Sequence, residues 1–134
     1  MENPVGFDFE TVCVSWKVRE TSARRQQNAK IEVSLKEDFS EILWEKEGKD
    51  LNSAAEKLEF TRSAYTRYYV KVTVTNDKGE TAVSEPAYFE TGKMDDPWMG
   101  KWITTKKEDT FHPLFIKNFE VKKKPASALS LIHI

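Results

Sequence analysis

One stretch constrains this chain more than any other: Thr66 to Asn76, TRYYVKVTVTN. Tyr68, Val70, Val72 and Val74 alternate with Tyr69, Lys71, Thr73 and Thr75. Successive strand side chains point to opposite faces, so such a segment is a strand with one buried side. Its Val, Thr and Tyr content suits a pleated, half-buried surface. A strand of this kind needs partners beside it and a second layer beneath its apolar face, and the rest of the chain must supply them.

The sequence before it offers several. Val12, Val14, Trp16 and Val18 alternate with Cys13, Ser15, Lys17 and Arg19, with Trp16 placed to fill the space between two sheets. Thr21 to Asn28 is polar, and its Arg24–Arg25 pair reads as a solvated loop. Ile31, Val33 and Leu35 form the next alternating strand, Asp38 to Ser40 turn the chain, and Ile42–Leu43–Trp44 make a short strand. Ala54 to Leu58 admits one helical turn, and Leu58–Glu59–Phe60 is a brief strand. Asn76–Asp77–Lys78–Gly79 is a tight turn with Gly79 at positive φ. Val83, Ala87 and Phe89 lie on a last strand that Pro86 marks as an edge or an interruption.

About seven short strands without helical periodicity predict an all-β, antiparallel β-sandwich. Tyr68 has the placement of a tyrosine corner, its hydroxyl bonded to backbone under the sandwich. With Trp16 early, Tyr68 late and a single cysteine, Cys13, the arrangement expected is fibronectin type III-like within the immunoglobulin-like group, held by packing without an internal disulfide.

After Gly92 the texture changes. Residues 93–112 carry Trp98 and Trp102 without a strand period, and two exposed indoles in a linker are costly, so both are expected to be docked. Residues 113–134 contain two β segments around Lys122–Lys123–Lys124–Pro125 and read as the first hairpin of a truncated second β-sandwich. The domain expectation is therefore 1–92 sandwich, 93–112 linker and 113–134 partial second β domain. An unpaired apolar edge on that hairpin would also suit a homodimer.

The 134 residues include 21 Lys and Arg against 22 Asp and Glu, a net charge of −1. Such a balance gives no electrostatic reason to seek nucleic acid or anionic lipid, and no apolar run approaches the roughly 20 residues of a spanning helix. The N-terminus lacks a basic-then-apolar leader, which favours a cytoplasmic location slightly over a secreted one. No catalytic, cofactor-binding or metal-ligating residue emerges: His112 and His133 stand apart, and no zinc, calcium or phosphate-loop spacing occurs. The surviving functional candidates are aromatic. Tyr69 and Tyr88 point away from the expected core, and with Trp98 and Trp102 they could contact sugar or a neighbouring domain.

The order of several blocks resembles the start of bacterial α-L-rhamnosidases: Glu2–Asn3–Pro4–Val5–Gly6, Ser15–Trp16–Lys17, Ile31–Glu32–Val33–Ser34, Asp38–Phe39–Ser40, Leu43–Trp44 and the central strand. Ser84 to Gly92, Lys101–Trp102–Ile103, Pro113 to Phe119 and Ala128 to Ile132 continue it. Ala29, Glu45 and Tyr69 depart from the residues usual in that family. The resemblance implies a large inverting glycosidase with an N-terminal sandwich, further β-sandwiches and an (α/α)₆ barrel that carries the catalytic carboxylates. None of those catalytic positions falls in this chain, so it implies a non-catalytic accessory domain whose partners are the rest of the hydrolase and, through it, rhamnose-containing glycans. The alternative is a carbohydrate-binding or protein-interaction module.

Overall fold

A computed structural model describes residues 4–6, 11–19, 21–104 and 114–125. The chain divides into two compact units, 1–97 and 98–134. In the first, the described residues form eight strands, β1 (Val5–Gly6), β2 (Cys13–Val14), β3 (Gln26–Ser34), β4 (Ile42–Gly48), β5 (Glu56–Lys57), β6 (Arg67–Asn76), β7 (Thr81–Val83) and β8 (Ala87–Thr91). Six of them form one sheet in the order β1-β8-β6-β3-β4, with β7 also on β6, while β2 and β5 form a second. All pairings are antiparallel except β1 with β8.

Strand β6 lies at the centre, as its alternation predicts. Tyr68, Val70, Val72 and Val74 are buried, and Ala29, Ile31 and Val33 from β3 lie beside them on the same face. Leu58 and Phe89 complete the buried cluster, and Val12, Val14, Trp16, Trp44, Leu51 and Phe60 pack around it half-buried. Trp44, Phe60, Tyr68 and Phe89 make a continuous aromatic row, with neighbouring centroids 5.2–6.1 Å apart. The Tyr68 hydroxyl accepts the Ser63 backbone N–H at 2.7 Å, which forms the expected corner.

Four local readings change. Strand β3 begins at Gln26 rather than after Asn28, because backbone pairing with β6 carries the polar residues into the ladder. Leu35 lies beyond its end and is exposed; the register shifts at Val33/Ser34, where the Ser34 hydroxyl accepts from Lys36 N and donates to Glu41 O. Residues Glu56–Lys57 are extended, not helical, since Leu58 N donates to Val12 O and Trp16 N to Ser53 O on either side of the β2–β5 pair. Trp16 therefore borders the core instead of filling its centre, its indole N–H donating to Gln26 Oε1 at 3.0 Å.

The final strand is interrupted at Pro86, and the interruption changes its phase. Val83 stands opposite Thr73 on the outer face, while Ala82 faces inward opposite Val74 and Phe89 faces inward opposite Tyr68. Proline cannot donate to the ladder. Ser84 compensates: its N–H donates to Val72 O, and its hydroxyl accepts from Val72 N at 3.0 Å.

Edge strand β4 carries an inward-pointing charge, a feature that discourages further strand pairing. Lys46 stands opposite Ile31 and reaches Glu56 on the second sheet at 2.8 Å. Glu56 also accepts from Asn52 N at 2.7 Å. Lys46 and then that N–H hold the Glu56 carboxyl below its ordinary value, so the pair links the two layers at the rim of the core.

In the second unit, residues 98–104 and 114–125 carry no strand. The first arm of the expected hairpin, from Leu114, is thus irregular over its described part, with Leu114, Ile116 and Phe119 exposed. A lone hairpin buries too little to be stable by itself. Its second arm and the turn's end, 126–134, lie outside the described residues.

Candidate functional site

The outer face of the six-stranded sheet gathers two of the aromatic candidates. Tyr69 on β6 and Tyr88 on β8 are directly opposed, with ring centroids 6.1 Å apart and planes tilted by 59°. Each follows from the strict alternation of its strand, which turns Tyr68 and Phe89 inward and their neighbours outward. Arg67, two residues before Tyr69, lies with its guanidinium 4.3 Å from the Tyr88 ring centre. The same guanidinium meets Glu90, its cross-strand partner, with Nε 2.6 Å from Oε1. Tyr69 first and Glu90 second raise the Arg67 pKa, so this cation is firmly charged.

The face continues toward β4 as a charge ladder. Lys71 meets Glu32 at 3.3 Å, and Lys30 bridges Glu32 and Glu45 at 3.4 and 2.9 Å. Glu32 and Glu45 are directly opposed across β3 and β4. Like charges in that position repel, and the two lysines relieve it. The Lys71 ammonium also lies 4.4 Å from the ring centre of Phe39. Phe39 gets there by a left-handed backbone (φ 54) within a turn in which Asp38 Oδ1 accepts from Ser40 N. The Ser40 N–H keeps the Asp38 carboxyl below its usual range.

Phe39 is one contributor that sequence reasoning passed over, since Asp38–Phe39–Ser40 reads only as a turn. Tyr65 is a second. It is 69% exposed with φ 52, an uncommon conformation for an aromatic residue. Its N–H donates to Gly92 O, and Thr66 N donates to the Thr91 hydroxyl, which itself donates to Ser63 O at 2.6 Å. Tyr65 is thereby fixed beside the last residues of the sandwich. Only the segment Thr61 to Tyr65, which leads into β6 and ends in an aromatic, hinted at it.

Chemically, this face can present rings and paired charges; it does not converge acids on an enclosed space. Among the described residues, no three His, Cys, Asp or Glu side chains group as a metal site would require. His112 and His133 lie outside the described residues.

Residues 1–95 match the family described as Rha78A-like, N-terminal immunoglobulin domain. The chain belongs to that family. Its immunoglobulin-like domain coincides with the first compact unit, and its eight strands are those described above. Solved α-L-rhamnosidases share the fold. The Streptomyces avermitilis α-L-rhamnosidase complexed with L-rhamnose superposes with a TM-score of 0.70 at 24% identity, covering 78% of this chain and 11% of that one. The α-L-rhamnosidase from Dictyoglumus thermophilum gives 0.67 at 30% identity, covering 79% and 13%. The Rha78A-like chain thus spans about a tenth of those enzymes' length. No curated protein sequence matches it.

The remaining two aromatic candidates belong to the second unit. There Trp98 is 70% exposed and Trp102 103% exposed, in a segment where docked rings were expected.

Proposed function

We propose that this immunoglobulin-like domain is a non-catalytic brace of an α-L-rhamnosidase-type hydrolase. The observation that carries the reading is the match of residues 1–95 to an N-terminal domain family, together with the small fraction of each rhamnosidase that the chain spans. The outer face suits bracing. Tyr and Arg are enriched where protein surfaces meet, and Arg67, Tyr69, Tyr88 and Phe39 are held there in fixed geometry by their own neighbours. Tyr65, held beside the chain's exit from the sandwich, offers a further anchor. Partners in this reading are the rest of the parent hydrolase and, through it, rhamnose-containing glycans.

The test has two parts. Purified chain incubated with an aryl α-L-rhamnoside is expected to release no aglycone, and clear turnover would overturn the reading. In the parent hydrolase, Tyr69→Ala with Tyr88→Ala is expected to lower the unfolding temperature while leaving KM for the aryl rhamnoside unchanged.

A sugar-binding role for the same face is the second reading, favoured by the outward Tyr69–Tyr88 pair. Stacking on a pyranose needs an open ring face, and Arg67 occupies one face of Tyr88. Titration with a rhamnose-containing oligosaccharide, followed by tyrosine and tryptophan fluorescence, separates the readings: a flat response at about 10 mM, the weak end of useful affinity, ends the second.

A further inference from the structure

We propose that the groove beside Trp16, at the end of the sandwich where the β6–β7 turn lies, binds a compact ligand through an oxyanion it carries. The groove has a volume of about 270 Å³ and is lined by Lys17, Arg24 and Arg25 together with Trp16, Gln26 and Asn76. Among the described residues, the side chains of these three cations form no ion pair, whereas Lys30, Lys36, Lys46, Arg67 and Lys71 all do. Among the described residues, no acid lines the groove. A near-neutral chain has therefore gathered three cations that form no ion pair around one concavity, which favours positive potential there beside the single Glu80 carboxylate held on Thr21 and Asn76.

The loop that carries the two arginines is fixed. Asp77 N donates to Arg25 O at 3.0 Å, and Lys78 Nζ donates to the Ser22 hydroxyl at 2.6 Å. Thr21 is tied to both the buried Asn76 and Glu80: its hydroxyl donates to Glu80 Oε2 at 3.1 Å and accepts from Asn76 Nδ2 at 3.2 Å. Asn76 Nδ2 also donates to Glu80 Oε2 at 2.6 Å, so that carboxylate is held within the strap. On the other wall, Gln26 holds the Trp16 indole N–H and reaches Leu51 O. Four connections between loop and turn remove most of the ordering cost that a mobile basic loop would pay on binding. Guanidinium groups fit carboxylate and phosphate oxygens in bidentate fashion, and Trp16, Val18, Ala23 and Val74 give the groove an apolar lining for the body of the ligand.

The experiment is a two-dimensional proton–nitrogen NMR titration of the whole chain at low ionic strength with three probes: glucuronate, inorganic phosphate and glucose. The Trp16 indole signal is assigned by its loss in Trp16→Phe. Saturable shifts of that signal and of the Arg24 and Arg25 Nε–H signals with glucuronate or phosphate, at a Kd of about 1–10 mM, support the proposal. Glucuronate binding well ahead of phosphate identifies a carboxylate-bearing sugar-sized ligand; equal binding identifies a bare oxyanion. The double variant R24Q/R25Q, whose sites are exposed and whose Tm is expected to be unchanged, should weaken binding about tenfold or more. Absence of saturable shifts, equal shifts with glucose, or binding unaltered in the double variant would each overturn it.

Discussion

The tyrosine corner makes a quantitative prediction, because three side-chain contacts converge on one turn. Ser63 N–H is held by the Tyr68 hydroxyl at 2.7 Å and Ser63 O by the Thr91 hydroxyl at 2.6 Å, while Thr91 Oγ1 also accepts from Thr66 N at 2.9 Å. Tyr68→Phe keeps the ring between Phe60 and Phe89 and removes one hydrogen bond. Ser63 is exposed, so water can reach its freed N–H, and the expected cost is about 1 kcal/mol. Thr91→Val is nearly isosteric at a buried site, but it strips two backbone groups of their partners, for an expected cost of about 2–3 kcal/mol. Both substitutions loosen the same residue. Once Thr91 has lost its hydroxyl, the Ser63 turn is free to move and Tyr68→Phe should cost less, a coupling of about 0.5–1 kcal/mol. Urea unfolding of the two single variants, the double variant and the parent chain measures this directly, with m expected constant while the midpoint shifts. Tyr68→Phe should also lower Tm by about 4–8 °C. If Tyr68→Phe were neutral, or if it cost more than Thr91→Val and the two simply added, the corner would not be what fastens residues 63–66.

Other perturbations test separate parts of the structure. Glu56 has a folded pKa below its unfolded one, so its contribution is complete above the unfolded value and lost as pH falls through the folded value. Thermal stability should therefore drop as pH falls below about 5, and Lys46→Met should flatten that drop, as melting curves taken at successively lower pH would show. Tyr65→Gly relieves a left-handed aromatic residue that buries little, and should raise stability by up to about 1 kcal/mol in urea unfolding; a loss of more than that would mean its ring is packed. Ile31→Ala, at a fully buried site, should cost about 2–5 kcal/mol by the same measurement. Lys71→Met removes the bridge between Glu32 and Phe39, but the contacts are partly exposed, so a change within about 1 kcal/mol is expected.

What could be read in the sequence follows from how local each determinant is. Strand β6 was legible to within a residue because alternation and burial coincide over its whole length: every second residue from Tyr68 to Val74 is in the core. The tyrosine corner was legible for the same reason, as its ring is part of that pattern. Strand β3 was harder. Gln26 to Asn28 look like loop residues and become strand only because Thr75 and Asn76 lie alongside, a partner about fifty residues away that no local window contains. Strands β2 and β5 were misjudged in the opposite sense. A long alternation from Val12 to Val18 suggested a full strand, yet only Cys13–Val14 pair, because the facing strand is equally short. Pro86 announced an interruption but not its consequence. The phase change that turns Val83 outward depends on Ser84 replacing a backbone partner for Val72, a role its residue type permits without requiring. The outer face divides along the same line. Tyr69 and Tyr88 declare themselves by parity, whereas Phe39 and Tyr65 reach their places through left-handed backbone angles fixed by distant hydrogen bonds and ring contacts. Parity is a property of one strand; a left-handed residue is held by its surroundings. Positions of the second kind are therefore where function can be built without leaving a mark in the pattern, and Tyr65 and Phe39 are the residues whose substitution in the parent hydrolase would best separate bracing from mere folding.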